Sequence, residues 1–500
     1  MEKLRTELCK YLGCKNFCFS LLLGLFLMSC AHAPGGAPAQ PERSTALPTK
    51  NLVERIQREN QSAVNRSNYL TLEQAIQDAL ERSPELQQIL QRIDASAEQI
   101  KQAEAAFYPR LIIAEDFNVT NNPVYALMDI INQRRLSTTT DFNNPGQQHN
   151  LSSRIQGEWS VFEGGSRWYN RNAAVDEKRS TESNLLAARS QLITKVTETY
   201  YRWLQALGFV EVAERALEAA RTDEKLGEAR FQVEMALPSE VLRLKTRTAE
   251  AESNLVTART GARRLQAGLE RLIARRIGSN EIPNPNLTVA LPAQNRSTQD
   301  EDALFAQALD RRPEMAAIRS LIEAARKRVK AAQGGLLPRI GTSANYQWDS
   351  EDLSNSADSW WVGVKATWAL FEGGLTLSQI RQAKTHLQEL QARGEQVALD
   401  IALEIQQATL AVQEAAEKIR VTNERKKWAR KALEEVRNLY RNQVVTVDSL
   451  LQAEVAWNQA EVSHTAALFE GKIAQALLMQ SLGDFADSSR QYSSANGDSP

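Results

Sequence analysis

Between Pro109 and Thr120 the odd positions Leu111, Ile113, Phe117 and Val119 are apolar, and Arg110, Asp116, Asn118 and Thr120 between them are polar. Ile112 and Glu115 break the alternation. A second stretch sets Leu151, Ile155, Trp159 and Val161 against Ser152, Arg154, Gln156, Glu158 and Ser160. Further on, Ile340, Ala344, Tyr346 and Trp348 alternate with Arg339, Ser343, Asn345 and Gln347. In the next stretch Trp360, Val362, Val364, Ala366 and Trp368 alternate with Ser359, Gly363, Lys365 and Thr367. A period of two predicts strands near 110–120, 149–162, 339–348 and 359–370, each with one apolar and one polar face. Strands about ten residues long with that pattern fit a membrane β-barrel, with lipid outside and water within. Trp159, Trp348, Trp360, Trp361 and Trp368 fall in these stretches, as expected of interface girdles. A β-sandwich core would show the same alternation.

After each second strand the apolar period changes to steps of three and four. The stripe Ala188, Leu192, Val196, Thr199, Trp203, Ala206, Val210 is matched later by Val397, Ile401, Ile405, Ala408, Val412, Ala415, Ile419. These stripes predict helices over about 166–236 and 376–442, packed along their length as in a coiled coil. Roughly 65 to 70 residues at 1.5 Å per residue reach on the order of 100 Å. Neither a compact domain nor a sandwich needs such rods. Pro238 and residues 444–447 interrupt them, and shorter helices run on to about Ile277 and Leu482. The approach to each strand pair is helical too: Thr71-x-x-Gln74 reads as a capping box, and Pro84 and Pro313 break these helices near their starts.

The plan occurs twice. Arg-Ser-Pro-Glu-Leu at 82–86 returns as Arg-Arg-Pro-Glu-Met at 311–315, and Tyr-Pro-Arg-Leu at 108–111 returns as Leu-Pro-Arg-Ile at 337–340. Trp-Ser-Val-Phe-Glu-Gly-Gly at 159–165 returns as Trp-Ala-Leu-Phe-Glu-Gly-Gly at 368–374. A duplication fixes architecture before any local motif does. The repeats span 70–278 and 301–483, joined by a proline-rich linker at 279–300 and followed by a polar tail at 484–500. Four strands cannot enclose a lumen, and a backbone in lipid tolerates no open edge. Several chains must therefore share one barrel.

Lys3, Arg5, Lys10 and Lys15 precede an apolar run from Phe17 to Met28, the layout of a secretory signal over 1–29. Leu27-Met28-Ser29-Cys30 resembles the bacterial lipobox and makes Cys30 the lipidation candidate, with 30–69 as an acylated flank. Cys9, Cys14, Cys18 and Cys30 are all the cysteines, so the mature chain has neither a disulfide framework nor a cysteine metal site. Charge is balanced at 60 basic to 61 acidic residues, without the basic excess that marks nucleic-acid binding. His32, His149, His386 and His464 are scattered, with no zinc spacing and no nucleophile-base pair; neither cofactor nor enzymatic activity is expected.

The duplicated helix-strand-strand-helix plan, the paired Phe-Glu-Gly-Gly marks, the Arg-x-Pro-Glu starts and the acylated leader resemble the TolC-like outer-membrane efflux proteins. The likeness covers 70–483 and includes the longer first loop, from Asn122 to Pro145. It implies a mainly α fold with membrane β: a homotrimer whose 12-stranded barrel continues into a long helical barrel crossing the periplasm. It also implies docking to a periplasmic adaptor and an inner-membrane pump of the resistance-nodulation-division type, with export of small toxic molecules or drugs. Type I protein secretion and metal efflux remain alternatives, as does, in another class, a lipid-anchored adhesive coiled coil.

In that family the periplasmic tips read aromatic, two residues, Gly, then five residues to Asp-Val-Leu. Here the first tip has Phe231, Glu234 at the glycine place and Glu240-Val241-Leu242, and the second has Tyr440, Gln443 and Ser449-Leu450-Leu451 beside Asp448. The resemblance implies a closed gate formed by Glu240 and Tyr440. Val445 occupies the place of the family's arginine, leaving Arg441 as the stand-in and Asp448 or Gln452 nearer the channel.

Overall fold

The computed structural model describes residues 69–278, 281–283, 301–352 and 355–485. The signal segment, Cys30 with its flank, most of the linker and nearly all of the tail lie outside the described residues. The described chain runs β1 (Tyr69–Leu70), α1 (Leu72–Arg82), α2 (Pro84–Ala105), β2 (Arg110–Thr120), α3 (Pro123–Asn132), β3 (Gln148–Glu163), α4 (Ser166–Gln232), α5 (Pro238–Leu272) and β4 (Ile282–Pro283). The second repeat gives α6 (Glu301–Arg311), α7 (Pro313–Gln333), β5 (Arg339–Ser350), β6 (Ser356–Thr367), α8 (Leu375–Arg441) and α9 (Val447–Ser481).

Local chemistry sets the helix ends. Thr71 and Gln74 form the capping box by reciprocal bonds of 3.2 and 3.1 Å. Pro84, Pro238 and Pro313 each open a helix, where a missing N–H costs nothing. The two long rods, α4 and α8, both run 67 residues. In the first stripe Leu192, Val196, Trp203 and Ala206 are buried; in the second Ile401, Ile405, Ala408 and Ala415 are. About halfway along α4, Tyr200 anchors one cluster with Leu192, Val196, Leu269 and Ile273, and its hydroxyl donates to Leu70 O at 2.8 Å. Short β1 and β4 pair in parallel and bring the start of the linker back beside the start of the first repeat. No described helix is both long and apolar enough to cross a membrane.

The four longer strands form one antiparallel sheet in the order β2-β3-β5-β6. Its register puts Ile113, Ile155, Tyr346 and Trp360 in one row and Ala344 and Val362 in another, all on one face. Asp116, Ser152 and Asp349 share the opposite face, as do Gln156 and Asn345. The apolar face lies open: Ile113, Phe117, Trp360, Val362 and Val364 are among the most exposed apolar residues of the chain. On the polar face Arg154 pairs with Asp116, Gln156 donates to Glu158, and Gln347 donates to Asp349. Glu115, which breaks the alternation, accepts a bond from the Ser153 hydroxyl beside it.

Two expectations need correction. The fourth strand occupies Ser356–Thr367, not 359–370; beyond it Trp368 donates its indole N–H to Leu336 O, as Trp159 does to Phe107 O. Trp361 is paired with Asn345, so it lies on the polar face and belongs to no outer girdle.

Candidate functional site: the helical tips

At the ends far from the sheet, α4 turns into α5 and α8 into α9. Each turn reverses direction through a residue in the left-handed region, Glu234 at φ 62° and Gln443 at φ 63°. Glycine suits that conformation best, and a side chain there costs roughly 1–2 kcal/mol. The turns form here without glycine, and the backbone closes them: Glu234 N–H donates to Phe231 O and Gln443 N–H to Tyr440 O, both at 3.0 Å. Leu244, Leu433, Tyr440, Val447 and Leu450 form a small core beneath the turns.

Tyr440 is buried in this core, and Phe231 is exposed. No hydrogen bond joins Tyr440 to Glu240, which stands in the first turn of α5. Burial pushes the Tyr440 phenol up, and the nearby Glu240 charge adds to that, against the Arg230 guanidinium. Arg230, at the end of α4, lies 4.8 Å from the centroid of the Tyr440 ring. It also donates to Tyr440 O at 3.3 Å and Arg441 O at 2.9 Å. Within the chain, the arginine that ties the two tips together is thus Arg230, on the first tip. Arg441 closes α8 and lends its charge toward Asp223. Asp448 pairs with Arg243 of α5, and the Ser449 hydroxyl lies 3.3 Å from that of Thr446. Asp448 and Gln452 line a cavity of about 650 Å³ with Arg243, Arg247, Glu250 and Arg425.

One to three turns up from the tips, Asp223 of α4, Arg437 of α8 and Glu454 of α9 meet. Both carboxylates are buried, 6% and 4% exposed. Arg437 Nη2 donates to Glu454 Oε1 at 2.8 Å and stands 3.8 Å from Asp223 Oδ2, which has no hydrogen-bond partner. One guanidinium thus serves two carboxyls. Burial, then the Glu454 carboxyl, push Asp223 up to about 7, although Arg437 and Arg441 pull the other way. Glu454 and Arg437 also line a cavity of about 210 Å³ with Arg215, Trp457 and Glu461.

None of Asp223, Arg230, Arg437 or Glu454 emerges from reading the tips as motifs. Their signal was in the stripes. Asp223 falls between buried Ala220 and Gly227, Arg437 between Leu433 and Tyr440, and Glu454 four residues after Leu450, so three helices carry a charge where an apolar residue belongs.

The family model described as "Outer membrane efflux protein" matches residues 75–275 and 304–484. The chain is 23% identical over 317 residues to the alkaline protease secretion protein AprF of Pseudomonas aeruginosa, covering 62% of this chain and 63% of that one. It is 24% identical over 336 residues to the outer membrane protein TolC of Escherichia coli, covering 63% and 62%. The chain thus spans under two thirds of the length of these relatives. Among solved structures, the outer membrane channel CmeC of Campylobacter jejuni superimposes with a TM-score of 0.72 at 14% identity, over 92% of this chain and 94% of that one. CusC does so with 0.71 at 17%, over 82% and 92%. The fold is that of these channels.

Proposed function

The chain belongs to the outer membrane efflux protein family, and on that footing we propose that it is the outer-membrane exit duct of a tripartite efflux system. The carrying observation is the sheet. Its apolar face is bare, its edges β2 and β6 are both unpaired, and it sits on rods of 67 residues. In lipid, open edges must be paired by other copies, and three sheets of four strands give a closed 12-stranded barrel. The rods support the same assembly. Leu399, Leu403, Leu410, Val421 and Trp428 are exposed along α8, an apolar stripe that the described residues leave open. A neighbouring copy covers it.

In this reading the chain performs no catalysis and conducts passively. An inner-membrane pump, of the resistance-nodulation-division type, and a periplasmic adaptor deliver small toxic molecules to the tips. Cys30 is the acylated anchor at the outer membrane. The tip residues of α4 and α8, with Glu240, Tyr440, Arg230 and the Asp223–Arg437–Glu454 cluster, hold the periplasmic end closed. Protein secretion is the second reading, favoured by the likeness to a protein named for alkaline protease secretion.

The test is native mass in mild detergent together with planar-bilayer recording. A mass of three chains and discrete conductance steps are expected. An elongated monomer or dimer without conductance refutes the duct and favours a surface coiled coil.

A further inference from the structure

The loop that lengthens the first repeat folds back over its own sheet. It carries α3, whose Ala126, Asp129 and Ile130 are buried. What they cover is the polar face at the end remote from the rods. Asn150, Ser152, Asp349 and Ala357, all on that face by register, are buried too, although an uncovered face would leave them open to water. Side-chain bonds pin the helix there. Gln133, at its end, donates to Asn150 Oδ1 at 3.0 Å and His149 O at 2.8 Å, and Asn150 donates to Asp349 at 2.9 Å. Arg134 donates to Asp358 O at 2.7 Å, and Arg135 pairs with Glu351 at 2.7 Å.

The opposite face of α3 is apolar and bare. Val124, Met128 and Ile131 lie one above another at helical spacing, with Tyr125 beside them, all exposed. The only charge in α3, Asp129, is turned to the sheet. If the polar face lines the lumen, this stripe points at the barrel axis.

Resting on the trimeric duct above, we propose that α3 is an outer gate: three copies meet at the axis through Val124, Tyr125, Met128 and Ile131 and close the external mouth. The occupant of the stripe is a second and a third copy of this chain. Dimensions favour it. Twelve strands about 4.8 Å apart and tilted by about 40° give a backbone radius of about 12 Å. A helix with its side chains is about 10–12 Å across. One such helix on each of three walls reaches the axis, and no lipid enters an aqueous lumen to cover its apolar side.

The cysteines of the chain all lie at or before Cys30, so a thiol placed at 128 stands alone in the described part. Full-length M128C in outer membranes is treated with a short bismaleimide, beside wild type and F117C on the lipid-side face. Covalent dimers of M128C, absent from the two controls, are expected. Monomer bands only, from material whose native mass is three chains, overturn the gate and leave the duct standing. A native mass other than three chains overturns both. As an independent arm, V124D combined with M128D sets like charges face to face, and single-channel conductance should rise. Unchanged conductance in intact trimers overturns the closure.

Discussion

Replacing Glu454 by Gln removes one of two buried carboxyls that share Arg437, and its effect can be worked from the structure. Holding Asp223 up at about 7 against its ordinary 3.8 corresponds to a cost of on the order of 4 kcal/mol for ionising it in the closed tip. In the proposed gate, a carboxyl raised in this way carries its proton in the closed state and releases it when the tips part and water enters. Opening is therefore opposed at low pH, eases by about 1.4 kcal/mol per chain for each pH unit between 3.8 and about 7, and is flat above that. Three chains opening together triple the slope. In planar bilayers, open probability of the wild type should climb steeply from pH 5 to 7 and then level off. In Glu454→Gln the amide carries no charge and Arg437 is left to Asp223 alone, so Asp223 ionises at lower pH and the climb moves down with it. Asp223→Asn should abolish the climb. A flat wild-type profile, or identical profiles for wild type and Glu454→Gln in intact trimers, would refute the shared-proton argument.

Glu234→Gly and Gln443→Gly relieve left-handed side chains and should each raise stability by about 0.5–1 kcal/mol, after the extra flexibility of glycine in the unfolded chain is deducted, as read from helical melting at 222 nm. Val364→Arg puts a charge on the bare apolar face and should cost about 2–4 kcal/mol if the site is near the bilayer midplane. Lys365→Gln beside it should leave trimer yield unchanged. Gly164→Ala should block folding, because a methyl there would overlap the Gly334 carbonyl. Gly373→Ala meets nothing within 4 Å in the single chain, which should therefore still fold; expression of folded protein separates the two.

The fold was legible because its signals are long and periodic. Alternation over ten residues and stripes over sixty average out local exceptions such as Glu115, and the duplication offers each signal twice. The tip was less legible, since a turn is specified by a few residues whose partners lie on another helix. Glu234 takes a conformation its residue type does not announce, and Arg230 reaches the carbonyls and ring of a helix more than two hundred residues on. The Asp223 cluster needed three helices to be superimposed before two acids and one base became a unit. The side of the sheet that α3 covers is invisible in sequence for a similar reason: it is settled by bonds to distant strands, such as that from Gln133 to Asn150.

The junctions between strand and rod differ between the repeats. In the first, Gly164 is locked against Gly334 of the second repeat, and the Ser166 hydroxyl donates to Ala331 O at 2.6 Å. In the second, Gly373 and Gly374 keep the same left-handed backbone with open space around them. A duplicated plan thus encodes two sockets, of which one is filled within a single polypeptide and the other, in the proposed trimer, is left for a sibling. Selection can act on the two separately. In that trimer, changes around Gly164 are judged within one molecule and changes around Gly373 only once molecules have found each other, so the two repeats are free to diverge along that line.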